Sequence, residues 1–277
     1  MSKHATARQP AATASGAHAG ALKLDFPSSE FVMSLQRGLA VILAFDEAHP
    51  AMTVSEMAQA VNMTRAAARR FLLTLQALGY VESDNGHFRL RPQTLDLGHA
   101  YLVTQPWWRH GQRIAEKLGA QLNQACGIGV FDRDAVTYVA YAPAVHLPSL
   151  SRMVGTRLPI HATAIGRVLL AGLSPAERQA VYRRIDLLQL TPRTTKDVGA
   201  LKALVEHTAK DGYAVVDQEL EIGLRAISVP LYDRGGRVVA AISISIRDPF
   251  MDAGDLVRKF LKALQLASEE VTRFMPG

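Results

Sequence analysis

The sequence contains a single cysteine, Cys126, among its 277 residues. One thiol excludes an internal disulfide bond and a zinc site built from cysteines. No apolar stretch approaches the roughly 20 residues that a membrane-spanning helix needs, and the N-terminus lacks the apolar core of a signal peptide. These absences predict a cytoplasmic protein that has no membrane partner.

Sequence signatures of catalysis are also missing. There is no GxSxG motif and no P-loop, and the nine histidines show no spacing typical of metal ligands. Gly127-Ile128-Gly129 begins a GxG motif, but Asp132 stands where a dinucleotide-binding motif needs its third glycine. Nothing near Cys126 favours its thiolate, so we predict a buried structural thiol. We expect no cofactor, no metal site and no enzymatic activity.

The overall composition is that of a soluble globular protein, with 48% hydrophobic and 20% charged residues. The chain is long enough for two domains with cores of their own. Its formal net charge of +6 is compatible with a nucleic-acid partner but does not establish one.

The stretch Thr53–Leu90 has the pattern of two short helices, a tight turn and a β-hairpin. Thr53 and Glu56 have the spacing of a capping box, in which each side chain bonds to the other residue's backbone N–H. Asn62 tolerates the left-handed conformation that a sharp turn requires. This order of elements is typical of a helix-turn-helix.

The second helix of this motif is predicted to begin at Thr64 and to end at Gly79. One face is apolar, and the other combines arginines with small alanines. Arginine can fork to guanine or to phosphate, and alanine lets the backbone come close to the groove. The predicted DNA-binding residues of the two helices are Thr53, Thr64, Arg65, Ala66, Ala67, Arg69 and Arg70.

Asn85-Gly86 lies between alternating apolar residues, which is a strong signal for a tight β-hairpin. Such a hairpin resembles a wing, from which His87 and Arg89 would meet the phosphate backbone. A helical subdomain whose arginines only face solvent is the alternative. The succession of capping box, turn, basic face and wing favours DNA binding.

The flanking segments complete the predicted domain organisation. Residues 1–30 are predicted to be a disordered basic tail, and 31–92 a winged helix-turn-helix domain whose first helix runs from Phe31 to about Ala48. A linker helix follows at 93–103. The remaining 104–277 form a second domain, and Trp107-Trp108 at its start is expected at an inter-domain or inter-subunit contact.

Hairpin-connected strands and amphipathic helices alternate in the second domain, which predicts an α+β fold with a mostly antiparallel sheet. Its strands are predicted at 127–131, 136–141, 150–154, 213–216, 226–232 and 237–246, and its helices at 163–171, from 174, 198–211 and 253–274.

A candidate binding site lies where a loop meets a helix, at Gly155–Arg167. Backbone N–H groups at a helix N-terminus bind carboxylates well, and a nearby arginine adds a charged partner. Ser243 and Ser245 point to one face of a strand. That face could line a pocket or could simply meet solvent.

Five stretches resemble the IclR-type bacterial transcriptional regulators. They are SLQRGLAVILAF (34–45), MTRAAARRFLLTLQALGYV (63–81), RLRPQTLDLGHAYL (89–102), GTRLPIHATAIGRVLLA (155–171) and GYAVVDQELEIGLRAISVPLYDRGGRVVAAISIS (212–245). TRAAARRFLLTL is similar to the subgroup that governs aromatic-acid breakdown through the β-ketoadipate pathway. The resemblance implies that 104–277 is a GAF-like effector-binding and oligomerisation domain. It also implies assembly as a homodimer or dimer of dimers, and a response to a small carboxylate such as protocatechuate, 4-hydroxybenzoate or β-ketoadipate.

The resemblance also implies the effector-binding residues. They are Gly129, Arg152, Arg157, His161, Ala162, Thr163, Asp217, Ala226, Ser243 and Ser245. Two other functions stay open: an enzyme for small carboxylates tethered to a DNA-binding domain, and a DNA-binding protein whose second domain only forms oligomers.

Overall fold

The computed structural model describes residues 29–105, 107–144 and 153–275. Nearly all of the predicted tail, the candidate Arg152 and most of the strand predicted at 150–154 lie outside these ranges. The chain divides into two compact units, the first ending at Ala100 and the second beginning at Tyr101. No helix in the described ranges is long and apolar enough to span a bilayer.

The first unit is a winged helix-turn-helix. A three-stranded antiparallel sheet, in the order β1-β3-β2, packs with three helices around a core that includes Met57, Leu72 and Phe88. The elements are α1 (Met33–Leu43), β1 (Met52–Thr53), α2 (Val54–Ala60), α3 (Arg65–Ala77), β2 (Val81–Asp84) and β3 (His87–Leu90).

The local signals that predicted this unit are confirmed. The Thr53 hydroxyl accepts the Glu56 N–H at 3.3 Å, and the Glu56 carboxylate accepts the Thr53 N–H at 2.7 Å. Asn62, at the turn between α2 and α3, and Gly79, after α3, both have positive φ. Asn85-Gly86 forms the two-residue turn of the wing, with φ of 50° and 81°.

Helix α1 differs from its prediction in length and in its buried face. It ends at Leu43, because the Asp46 carboxylate accepts the His49 N–H at 2.7 Å and so holds a turn before the predicted end. Leu35 is 62% exposed, whereas Val41 is fully buried. Part of the apolar surface of α1 is therefore left exposed by the packing of the first unit.

A 3-10 turn at Pro92–Thr94 leads into α4 (Leu95–Val103), in agreement with the predicted linker helix. None of the α4 residues is buried, and Leu95 is the most exposed of its apolar side chains. A core role for this helix within the described chain is therefore excluded.

The second unit has a six-stranded sheet in the order β6-β5-β4-β9-β8-β7, and every neighbouring pair is antiparallel. This confirms the predicted α+β class. The elements are α5 (Trp108–Leu122), β4 (Ala125–Asp132), β5 (Ala135–Ala142), β6 (Arg157–Pro159), α6 (Ala164–Gly172), α7 (Pro175–Arg184), α8 (Val198–Asp211), β7 (Ala214–Asp217), β8 (Arg225–Tyr232), β9 (Val238–Ile246) and α9 (Ala253–Thr272).

The sheet separates two hydrophobic cores. Ile242 and Ile244 of β9 belong to the core shared with α5 and α9. Ala241 lies in the other core, with residues of α6 and α8 such as Ile165 and Leu201. Since side chains alternate along a strand, Ser243 and Ser245 face the α6 side.

The predicted inter-domain or inter-subunit role is wrong for Trp107, whereas for half-buried Trp108 it stays a prediction. Trp107 is buried in the α5–α9 core, where its ring lies close enough to Gly111 that a Cβ there would be 3.2 Å away. The Trp108 indole N–H donates to the Val139 carbonyl at 2.7 Å. Both indoles therefore fix the start of α5 to the second unit itself.

Candidate DNA-binding surface and ligand pocket

Helix α3 presents an exposed basic surface. Arg65 and Arg69 lie one turn apart, and Arg70 follows beside exposed Ala66. None of the three guanidinium groups forms an ion pair with an acidic side chain in the described parts of the chain. They are therefore available to a polyanion.

The two predicted threonines act first as helix caps. The Thr64 hydroxyl accepts the N–H of half-buried Ala67 at 3.2 Å and so fixes the first turn of α3, as Thr53 does for α2. A capping hydroxyl that accepts one N–H still has its own O–H to donate. The caps thus leave both threonines able to donate to a phosphate oxygen.

The wing carries charges of both signs. His87 and Arg89 are exposed on either side of buried Phe88, as predicted. The hairpin register also sets Glu82 opposite Arg89, whose Nε donates to the Glu82 carboxylate at 2.6 Å. Its terminal guanidinium nitrogens make no hydrogen bond to the described residues, so they remain available for phosphate. Sequence reasoning missed Glu82, although a two-residue turn fixes that pairing.

In the second unit a narrow pocket, with a cavity volume of about 20 Å³, lies between the sheet and the start of α6. Its lining is apolar apart from hydroxyl groups, and none of the lining side chains carries a charge. The lining residues are Tyr138, Leu158, Ala162, Thr163, Ala164, Ile165, Val216, Leu220, Leu224, Ala226, Ser243 and Ser245.

Sheet register brings the predicted serines to this pocket. Ser243 of β9 pairs with Gly127 of β4 and with Ser228 of β8, while Ser245 pairs with Ala226. The Ser228 hydroxyl donates to the Ile242 carbonyl. Ser243 is only 2% exposed, and no hydrogen bond of its hydroxyl occurs within the described ranges. The solvent-facing alternative for this serine is therefore wrong.

The start of α6 forms one wall of the pocket. The Thr163 hydroxyl accepts the Gly166 N–H at 3.1 Å and donates to the Pro159 carbonyl. The Ile160 carbonyl lies against the start of α6, and only a glycine at position 166 leaves room for it, because a Cβ there would overlap that carbonyl. The first N–H groups of a helix have no intrahelical partner. The N–H groups of Ala164 and Ile165, two pocket-lining residues, belong to this first turn of α6, where the helix dipole favours an anion.

Two predicted charged residues lie away from the pocket, so these predictions are corrected. Arg157 is ion-paired with Asp132, and on the short strand β6 its neighbour Leu158 faces the pocket instead. Asp217 is 2.7 Å from Arg225 Nε and also pairs with Arg193, while its neighbour Val216 faces the pocket. Because side chains alternate along a strand, each of these charged side chains lies on the face opposite to its pocket-lining neighbour.

His161 and Gly129 also do not line the pocket. His161 is buried beside it, with Nε2 at 3.1 Å from the Leu188 carbonyl, and burial lowers the pKa of its imidazole. At Gly129 a Cβ would be 2.6 Å from Val136 and 3.0 Å from Ile165. Gly129 therefore acts indirectly, by letting Ile165 approach the sheet.

Sequence reasoning missed the loop that closes one side of the pocket. Leu220 and Leu224 reach the pocket from the connection between β7 and β8. Glu219 in this loop receives the Arg167 guanidinium at 2.6 Å, and both residues are buried, at 8% and 3% exposure. The Thr195 hydroxyl donates to the same carboxylate at 2.9 Å. Only the tertiary fold brings these positions together.

Comparison with known proteins gives the family. The model for the IclR helix-turn-helix domain matches residues 34–85, and that for the bacterial transcriptional regulator IclR C-terminal domain matches 99–273. The chain is 38% identical to the Pca regulon regulatory protein of Pseudomonas putida, over 90% of this chain and 86% of that protein.

Solved structures agree with these matches. A transcriptional regulator from Rhodococcus sp. RHA1 is 38% identical, with a TM-score of 0.79 over 88% of this chain and 98% of its own. An IclR homolog from Microbacterium hydrocarbonoxydans, crystallised with 4-hydroxybenzoate, shares the fold at 22% identity, with a TM-score of 0.74 over 87% and 98% of the two chains. The predicted family and fold are confirmed, and this chain belongs to the IclR family of bacterial transcriptional regulators.

Proposed function

We propose that this regulator binds operator DNA through α3 and its wing, and that a small aromatic monocarboxylate in the pocket changes that binding. The observation that carries the proposal is the buried pocket lined by hydroxyls beside the start of α6. It lies in a chain whose other unit exposes an unpaired basic helix. The ligand-binding and DNA-binding features thus occur in separate compact units of one regulator.

The chemistry of the pocket favours a single carboxylate on a flat apolar body. The Ser243 and Ser245 hydroxyls and the first N–H groups of α6 can donate to one anionic group. The remaining lining carries no charge and offers no cation to a second carboxylate, whose burial without a partner is costly. Protocatechuate and 4-hydroxybenzoate therefore fit better than β-ketoadipate. The 4-hydroxybenzoate complex of the Microbacterium homolog supports this class of ligand.

We further propose that the protein acts as a homodimer, or as a dimer of dimers, in the cytoplasm. Leu35 and Leu39 on α1 and Leu95 and Leu97 on α4 are exposed apolar side chains, which a second copy would cover. Two copies related by a twofold axis would place two α3 helices on the half-sites of a pseudo-palindrome. Sedimentation velocity tests the assembly, and a monomer at micromolar concentration would contradict it.

Arg69→Ala is expected to weaken binding to the cognate operator by about 1–3 kcal/mol, since Arg69 is on the exposed face of α3 that we propose reads base edges. Competition titrations against random DNA of equal length provide the measurement. Arg234→Ala, in an exposed turn of the second unit, is the matched control and should leave affinity unchanged. An equal loss on random DNA would assign Arg69 to phosphate instead.

The enzyme alternative has a direct test. Prolonged incubation with 4-hydroxybenzoate or protocatechuate is expected to return each acid unchanged, because the relatives are regulators and the pocket lining offers hydroxyls but no charged acid–base pair. Chromatographic detection of a product that accumulates with protein concentration would favour catalysis.

A further inference from the structure

The GxG motif rejected as a nucleotide-binding element has a clear place in the structure. Gly127 lies in β4, in the centre of the sheet. A Cβ at this position would be 2.5 Å from Tyr138 Cε1, 3.1 Å from Cδ1 and 3.2 Å from Cζ. One edge of the phenol ring therefore lies directly over the Gly127 backbone, in space that a side chain would otherwise fill.

A β-bulge creates this arrangement. The β4–β5 register shifts between Ile128 and Gly129, so that Tyr138 stands opposite Gly129 rather than one position further along. From there its ring reaches across to Gly127, which pairs on its other side with Ser243. The ring is almost fully buried and is part of the pocket lining. Tyr138 thus lies next to the serine that we expect to receive the carboxylate.

We infer that Gly127 is a positioning residue that seats Tyr138, and that the Tyr138 ring is the wall that selects planar aromatic acids over flexible aliphatic ones. The inference rests on the proposed function, because it concerns the same pocket. With any side chain at position 127 the ring has to leave the sheet surface, and the pocket lies on that side. A flat ring held against the backbone offers a face or edge to another aromatic ring.

The second glycine of the motif has a different neighbour and supplies an internal comparison. Gly129 makes room for Val136 and Ile165, whereas all three nearest atoms at Gly127 belong to Tyr138. A substitution at Gly127 should therefore act mainly through Tyr138. Gly127 and Tyr138 are therefore a suitable pair for a double-mutant cycle.

The experiment compares wild type, Gly127→Ala, Tyr138→Leu and the double variant by isothermal titration calorimetry with 4-hydroxybenzoate, benzoate and the flexible monocarboxylate hexanoate. Gly127→Ala is expected to weaken 4-hydroxybenzoate binding about ten-fold, because an overpacked ring is displaced. In the Tyr138→Leu background the same substitution should change affinity less than about two-fold, since no ring remains to displace. Tyr138→Leu should also reduce the preference for benzoate over hexanoate.

Tyr138→Phe keeps the ring and removes only the hydroxyl, so it should retain the preference of wild type for aromatic acids. Because it is the mildest change, it tests the inference even if Gly127→Ala does not fold. Loss of that preference in Tyr138→Phe would overturn the role of the ring.

The remaining outcomes separate the inference from the function on which it rests. If wild type binds an acid but Gly127→Ala weakens binding equally with and without the Tyr138 ring, the seating role is wrong. If Tyr138→Leu weakens benzoate and hexanoate binding equally, the ring does not select planar acids. If wild type binds none of the acids, the proposed ligand class fails, and the inference fails with it.

Discussion

Arg167→Met is expected to lower the free energy of unfolding of the second unit by about 3–5 kcal/mol, the cost of leaving a buried charge without its partner. Arg167 is held between the Glu219 carboxylate and the Val215 carbonyl, which accepts an N–H at 3.1 Å. Methionine preserves much of the volume but provides no donor. Glu219 would then have to take up a proton or draw water into the core.

Tryptophan fluorescence during urea unfolding measures this effect, because both tryptophans of the chain lie in the second unit. Lys117→Met is the matched control, since the Lys117–Glu270 pair is 3.8 Å apart and exposed, and its loss should cost less than about 1 kcal/mol. Arg167→Met combined with Glu219→Leu should recover most of the stability, because no unpaired charge remains. Equal urea midpoints for Arg167→Met and Lys117→Met would contradict the account.

Leu72→Ala is expected to destabilise the first unit by about 2–5 kcal/mol, the cost of lost burial plus a cavity. Leu72 lies on the fully buried face of α3, whereas the next residue, Leu73, is 38% exposed. Because α3 carries the arginines proposed to meet DNA, operator binding should be lost with the core that positions them. The second unit has its own core, so acid binding should remain.

Hydrogen exchange followed by mass spectrometry resolves the two units in this experiment. Protection should fall across the first unit in Leu72→Ala, while the tryptophan unfolding transition stays that of wild type. Leu73→Ala is the control, with a cost below about 1 kcal/mol expected for a partly exposed site. Full operator binding by Leu72→Ala would show that α3 does not depend on this core.

Local chemistry explains which elements could be predicted from the sequence. Capping at Thr53 and Thr64 and the left-handed turns at Asn62 and Asn85 depend on residues within a few positions of one another, and each was predicted correctly. The Trp108 indole instead bonds a strand carbonyl 31 residues away, which no local pattern indicates.

The pocket was predictable only in part, for a related reason. Strand alternation and family resemblance identified Ser243 and Ala162, which the structure places in the pocket lining. Arg157 was assigned there by its charge, although alternation with Leu158 sends it to the other face. A β-bulge brings Tyr138 to the pocket. Leu220 reaches it from a loop held by the Arg167–Glu219 ion pair, whose two residues are far apart in the sequence. Neither the β-bulge nor the ion pair can be recognised from residues that are close together in the sequence.

The most direct test of the central claim is fluorescence anisotropy of labelled DNA from upstream of the gene for this protein. Wild type and Ser243→Leu are titrated against it at low and high salt, with and without 4-hydroxybenzoate, protocatechuate and β-ketoadipate. We predict preference over random DNA, a change of affinity with an aromatic acid, and loss of that response in Ser243→Leu with DNA affinity retained. Specific DNA binding whose affinity no acid changes, or binding without preference over random DNA, would contradict the account.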